Sequence, residues 1–402
     1  MQGRHARIVL WGILIGVILG VALGAWLGPA MMSVEWLGTL FLNALKMTII
    51  PLIIAAVISG VASLGDVRKL GRVGGLTIAY YASTTALAVM IGLIVVNLIQ
   101  PGSNIAELSH ELPAQVADRS QTTITDIVLD MITPNLVASA ASTELLPLIV
   151  FSLLFAAALT TVGESGRPVI SFFEGLNQVM MKLVIWIMYF APVGIFALVA
   201  ARLGKAGGGG AFLAELQAVA WYVATVLIGL TIHFLALYAV LMLFARRGFG
   251  FLKTMSRALL TAFGTASSAA TLPTTMECAI ETGVDRRAIK FVLPIGTTIN
   301  MDGTALYEAA AVMFIAQAYG MHMDVAQQMI IFVTATLAAI GAASIPQAGL
   351  VTMILVLTAV NLPLEGIGLI LAVDWFLDRF RTAVNVWGDS VGSAVISRTM
   401  AE

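Results

Sequence analysis

Asp374, Asp378, Arg381, Thr382, Asn385 and Asp389 lie within sixteen residues of a chain that is 59% hydrophobic and only 11% charged. At about 100° per residue they occupy less than a third of a helix circumference, with Arg379 off the stripe. An ionisable side chain in a membrane span costs at least about 2.5 kcal/mol, so this stripe calls for a water-accessible cavity or a ligand path. The opposite face, Trp375, Phe376, Leu377, Phe380, Val384 and Val386, is apolar, and a long apolar segment precedes it. That favours a spanning helix over the alternative, a cytoplasmic amphipathic helix. Asp378 and Arg381 sit one turn apart. They form either a simple ion pair or a zwitterion clamp. In the clamp, Asp378 takes an α-ammonium and Arg381 makes a bidentate contact with a side-chain carboxylate.

A second polar group, Asn300-Met301-Asp302-Gly303-Thr304, interrupts another apolar segment. Asn300, Asp302 and Thr304 are hard oxygen donors, and Gly303 permits local unwinding that frees carbonyls. With Asn385 and Asp389 they suit a monovalent cation. Thr84 and Thr85, beside Tyr80 and Tyr81, add oxygens for a second cation, or else pack by bonding their own backbone. Glu308 shares a helix face with Thr304; a carboxyl in low dielectric favours its protonated form and can carry a proton across. The alternative is a permanently protonated core residue. Ser267 and Ser268 sit at a small-residue tip whose backbone N–H groups suit an α-carboxylate. Together these groups describe an acidic amino acid as ligand.

The elements that position them are membrane helices. A mean hydropathy of +0.98 and repeated apolar runs make this an α-helical integral membrane protein, its lipid contacts set by those runs. Residues 8–27, after Arg4 and Arg7, begin like a signal peptide but run too long and lack a cleavage site, so a retained helix is expected. Helices are expected near 7–29, 35–64 and 73–100, in pieces over 123–164, then near 168–203 and 211–245. Beyond residue 250, two apolar segments are broken by Gly264-Thr-Ala-Ser-Ser-Ala-Ala-Thr-Leu-Pro273 and Gly341-Ala-Ala-Ser-Ile-Pro-Gln-Ala-Gly349. Such backbone survives at membrane depth only inside protein or beside a cavity. Each reads as a re-entrant hairpin, near 250–285 and 324–360. Each precedes a polar-centred helix, near 286–318 and 364–398, in the inverted-repeat pattern of a midplane transport site. Soluble loops are the alternative, disfavoured by strongly apolar flanks.

The formal net charge of −1 excludes nucleic acid as a natural partner. The single Cys278 permits no intramolecular disulfide, and His5, His110, His233 and His322 show no metal-ligand spacing, so no cofactor is expected. Three basic clusters (Arg68, Lys69, Arg72; Arg246, Arg247, Lys253, Arg257; Arg286, Arg287, Lys290) belong to the cytoplasmic side, with both termini. Residues 104–119, carrying Glu107, Glu111 and Asp118 against Arg119, suit the outer face. Arg202 and Lys205, before the glycines of 207–210, are a mild exception to that rule.

These motifs resemble the dicarboxylate/amino acid:cation symporters, the family of glutamate and aspartate transporters, over nearly the whole chain. The resemblance rests on Asn300-Met-Asp-Gly-Thr304, Ala343-Ser-Ile-Pro-Gln-Ala-Gly349, and Asp374-Trp-Phe-Leu-Asp-Arg-Phe-Arg-Thr382 with Asn385 and Asp389. It implies eight helices, two re-entrant hairpins and a homotrimer. Residues 1–72 and 123–203 would form a scaffold; residues 73–100 and 211–402 would form a transport domain that moves as a rigid elevator. Substrate would touch Ser268, with Ser267 beside it, then Thr304, Asp378, Arg381, Thr382 and Asn385, and the backbone at Ile345 and Gly349. Sodium would use Gly296, Asn300, Asn385 and Asp389, then Tyr81, Thr84, Thr85, Asn300 and Asp302, and a third site near Thr298 and residues 339–342.

Ala266 stands where the archaeal member has arginine, and Arg379 supplies a compensating charge as in animal members. Glu308 also matches the animal pattern, which implies proton coupling and allows potassium counter-transport. Arg381 disfavours a neutral amino-acid carrier and Asp378 a dicarboxylate carrier. With no large outer insertion in the fourth helix, a bacterial inner-membrane member is expected. The function implied is L-glutamate and L-aspartate uptake driven by sodium, protons or both; a proton-only symporter is the near alternative. An intramembrane aspartyl protease using Asp302 and Asp389 lacks its Gly-x-Gly-Asp context, and an anion channel would not concentrate substrate.

Overall fold

In lipid a single chain satisfies its backbone N–H and C=O groups most simply by helix formation. The computed structural model describes residues 2–62, 71–103, 129, 131–142, 144–205, 209–341, 348–360 and 362–400, and among them every regular element is a helix. The expected all-α architecture stands. Arg68, Lys69, residues 104–119, Gly207, Gly208, Ala342 and Ile345 lie outside the described residues.

Helix α1 (Gln2–Leu27) and α2 (Glu35–Ala62) are joined by a 3-10 turn, Gly28–Val34, and α3 is Gly71–Ile99. The pieces expected over 123–164 are represented by α4 (Leu136–Ala141) and α5 (Leu145–Thr161). Asn135 caps α4, its side chain accepting from the N–H groups of Val137 and Ala138, both at 3.1 Å. The single helix expected over 168–203 is two, α6 (Arg167–Met188) and α7 (Ala191–Lys205). Pro192 explains the break: it has no N–H to donate and its ring crowds the preceding turn. The turn at Tyr189 and Phe190 lets α6 lie on α2 while α7 crosses both α1 and α2.

The α1–α7 contact is made by glycines. A Cβ on Gly20 would stand 2.9 Å from the Phe196 carbonyl and 3.1 Å from Val199 Cβ; one on Gly24 would be 2.8 Å from Leu203 Cβ. Small residues let helix backbones approach this closely in membranes. Gly20→Leu is therefore expected to cost about 1–3 kcal/mol through overpacking, read as a lowered Tm in detergent. Gly75→Ala, with nothing within 4 Å of its Cβ position, should leave Tm unchanged or raise it.

Helix α8 (Gly209–Val240) continues into a π-helical turn, Leu241–Ala245, and stops where Arg246 takes a left-handed conformation at φ 52°. Then come α9 (Phe249–Thr265) and α10 (Ser268–Glu281), α11 (Arg286–Ile299) and α12 (Asp302–Ala318), α13 (Val325–Gly341) and α14 (Ala348–Ala359), and α15 (Ile367–Thr399). The arms of each expected hairpin, α9 with α10 and α13 with α14, pack on each other. The first pair is joined by Ala266 and Ser267 alone; Ala266 is left-handed (φ 49°) and Ser267 caps α10 by accepting from Ala270 N–H at 3.2 Å.

Helix α12 is the axis of this half. It is buried from Asp302 through Ala316 and packs against α3, α8, α13, α14 and α15. A helix enclosed on all sides can be apolar all round, and its polar exceptions then need named partners.

Candidate functional site

The site begins where α11 ends. Asn300 (φ −107°, ψ 81°) and Met301 (φ −109°, ψ 58°) are non-helical, and α12 restarts at Asp302. The expected unwinding is present, but Gly303 is not its cause. Gly303 lies inside the first turn of α12, where a Cβ would stand 2.6 Å from the Arg381 carbonyl. Its role is close approach: its N–H donates to Asn385 Oδ1 at 2.8 Å, tying α12 to α15. Gly388 does the reciprocal on α15, its Cβ position 3.0 Å from both Asn300 Nδ2 and Asp302 Oδ2.

All six stripe residues of α15 are buried. Asn300 Nδ2 donates to Asp389 Oδ1 at 3.0 Å, and Asn385 Nδ2 reaches Thr304 Oγ1 at 3.4 Å. From α3, Thr85 donates to Asp302 Oδ1 at 2.8 Å, and Thr84 lies 3.3 Å from Asn300 Oδ1 and 3.4 Å from Asp302 Oδ1. Tyr81 donates to the Val292 carbonyl at 2.8 Å. Gly296 completes this cluster, since a Cβ there would be 2.5 Å from the Tyr81 hydroxyl and 2.6 Å from Asp389 Cγ. Tyr81, Thr84, Thr85, Gly296, Asn300, Asp302, Asn385 and Asp389 thus converge, whereas among the described residues no side-chain hydrogen bond ties Thr298 into the cluster. The donors are carboxylate, amide and hydroxyl oxygens, suited to a hard cation. Among the described residues, no three His, Cys, Asp or Glu side chains group as a metal site.

Beside this cluster is a buried guanidinium. Arg381 is fully buried; its Nη2 lies 2.8 Å from Asp378 Oδ1 and 3.0 Å from Asp374 Oδ1, and its Cζ sits 3.9 Å from the Tyr307 ring centroid. Arg381 Nε and Nη1 have no hydrogen-bond partner among the described residues. Gly349, at the start of α14, faces this group: a Cβ there would stand 2.6 Å from Nη1. Thr382 donates to the Asp378 carbonyl at 2.8 Å, which leaves its lone pairs as acceptors. Ser268 is buried at the head of α10. Glu308, fully buried, accepts at Oε1 from the Thr352 hydroxyl.

Arg379 does not join Arg381. Its Nη1 donates to the carbonyls of Phe263 and Gly264, both at 3.0 Å, so it closes the last turn of α9 behind the first hairpin tip. Two residues in the site carried no assigned role in the sequence reading. Asp374 is a second counter-ion for Arg381. His233 on α8 lies with Nε2 3.1 Å from Asp302 Oδ2, both side chains fully buried. A search for metal-ligand spacing passes over it. The available signal was a lone ionisable residue inside an apolar helix.

A sequence model described as the sodium:dicarboxylate symporter family matches residues 9–399. The excitatory amino acid transporter of Caenorhabditis elegans is 38% identical over 91% of this chain and 81% of its own length. Excitatory amino acid transporter 1 of Ambystoma tigrinum is 38% identical over 89% and 76%. Excitatory amino acid transporter 2 of Homo sapiens is 38% identical over 91% and 73%. These relatives are transporters, not enzymes. With four apolar segments among the described residues long enough to cross a membrane, Trp11–Ala62, Gly71–Ile99, Gly163–Met188 and Gln217–Ala245, and a family model spanning nearly its whole length, the chain is a multi-pass membrane protein that belongs to the sodium:dicarboxylate symporter family.

Proposed function

We propose that this protein is a secondary active symporter that takes up L-glutamate and L-aspartate with inward sodium, protons or both. The observation that carries the reading is Arg381: a fully buried guanidinium with two nitrogens lacking partners among the described residues, beside Asp378. Buried donors require acceptors, and a carboxylate supplies them with charge. Asp378 is then the partner for an α-ammonium, and the Ser268 hydroxyl and tip N–H groups are the partners for the α-carboxylate. The names of the relatives support an excitatory, acidic amino acid as cargo.

Sodium, as co-transported cargo, is held by the converging oxygens of Asn300, Asp302, Asn385, Asp389, Thr84 and Thr85. Residues 73–100 and 211–402 move as the transport domain against a scaffold of residues 1–72 and 123–203. The assembly is a homotrimer in the inner membrane with both termini cytoplasmic. The test is uptake of radiolabelled glutamate into proteoliposomes under a sodium gradient, a proton gradient, or both. Accumulation under any of the three supports a coupled carrier; equilibration without accumulation overturns it in favour of a channel. Accumulation on a proton gradient alone identifies the proton-only symporter. Glu308→Gln is expected to remove the response to a pH gradient while preserving substrate binding; a surviving response places the proton on another group.

A further inference from the structure

We propose that Thr352 is the positioning residue through which the second hairpin reads the proton on Glu308; this rests on Glu308 being the proton carrier. Glu308 is buried in the centre of α12, and its Oε1 accepts from the Thr352 hydroxyl on α14. Its other oxygen, Oε2, has no hydrogen-bond partner among the described residues. Three residues earlier on the same arm, Gly349 faces Arg381 Nη1. Positions i and i+3 share a helix face, so one turn of α14 touches both the substrate guanidinium and the proton site.

A hydroxyl both donates and accepts. Thr352 donates to the ionised carboxylate and accepts from the protonated acid, so the arm stays tied to α12 in both states while the direction of the bond reverses. Valine, of similar shape, can do neither. Among the described residues, the buried titratable groups on the helices around α12 are Arg381 with its partners Asp374 and Asp378, and Asp389, on α15, Tyr222 and His233 on α8, and Tyr81 on α3. His233 on α8 is engaged by Asp302 and Tyr81 on α3 by the Val292 carbonyl. Helices α13 and α14 carry no titratable residue.

A hydrogen bond to a charged acceptor is stronger than one to a neutral acid, so losing the hydroxyl penalises the ionised state more. Thr352→Val is expected to lower the proton concentration that half-saturates glutamate uptake by about fivefold. Thr352→Ser should restore the original profile. In the Glu308→Gln background, Thr352→Val should cause no further change in pH dependence. Measuring glutamate exchange and detergent-solubilised binding alongside uptake keeps the comparison readable for variants that cannot complete the cycle. The proposal is overturned if Thr352→Val scales transport equally at every pH, or if its pH shift persists in the Glu308→Gln background. If Glu308→Gln alone leaves the pH response intact, the proton-carrier reading fails, and the proposal with it.

Discussion

Arg381→Cys is expected to reduce glutamate and aspartate binding by about 10²- to 10⁴-fold and to admit small neutral amino acids. The size follows from the position of the group. Removing one partner of a buried ion pair costs about 3–5 kcal/mol, because the charge left behind keeps its desolvation penalty. At about 1.4 kcal/mol per tenfold, that is the range given. Here two carboxylates, Asp374 and Asp378, would lose the guanidinium that both contact. The selectivity change has a separate cause. A site built to pair a side-chain carboxylate rejects a neutral side chain by leaving Arg381 unmatched, and a cysteine removes that penalty. Arg381→Lys keeps the charge but not the planar donor fork, so acidic selectivity should survive with weaker binding. Competition of labelled glutamate binding by glutamate and by serine checks both points. Undiminished glutamate affinity in Arg381→Cys would remove this residue from the clamp.

Asp302→Asn should have the second largest effect, on sodium rather than on substrate. The carboxylate receives Thr85 at 2.8 Å, His233 at 3.1 Å and Thr84 at 3.4 Å, and is fully buried. The amide has the same shape but lacks the charge that offsets dehydration of a cation. Its NH2 must also face His233 or the two threonines, where only an acceptor now sits. Charged hydrogen-bonding groups contribute about 1.5–3 kcal/mol, so the sodium concentration supporting half-maximal substrate binding should rise about 10- to 100-fold. Titrating sodium at fixed glutamate in purified protein checks this. An unchanged sodium curve would exclude Asp302 from the cation cluster, even if uptake were impaired.

Much of this site is legible in the sequence because its pieces are local. The stripe from Asp374 to Asp389 follows from helical periodicity, and all six residues are buried as that stripe requires. The break at Asn300 and Met301 follows from polar residues inside an apolar run. Apolar continuity over 168–203 hides the turn between α6 and α7, although Pro192 marks it. Gly303 shows the opposite case. Its residue type promised backbone freedom, whereas its neighbours make it a point of helix contact.

By itself, the sequence determined the membrane setting, the helical class, the two interrupted segments and the residue types available to bind a charged ligand. Those properties depend on hydropathy and spacing over about twenty residues. Only the tertiary structure decided which buried polar group answers which. His233 meets Asp302 across 69 positions, Thr352 meets Glu308 across 44, and Thr84 meets Asn300 across 216. Arg379 turns to the carbonyls of Phe263 and Gly264 although Arg381 is only two residues away. Such pairings come from helices packing side by side at fixed rotations. A buried donor or acceptor then has few places to find its partner, and nothing in the local spacing of residues records which one it finds.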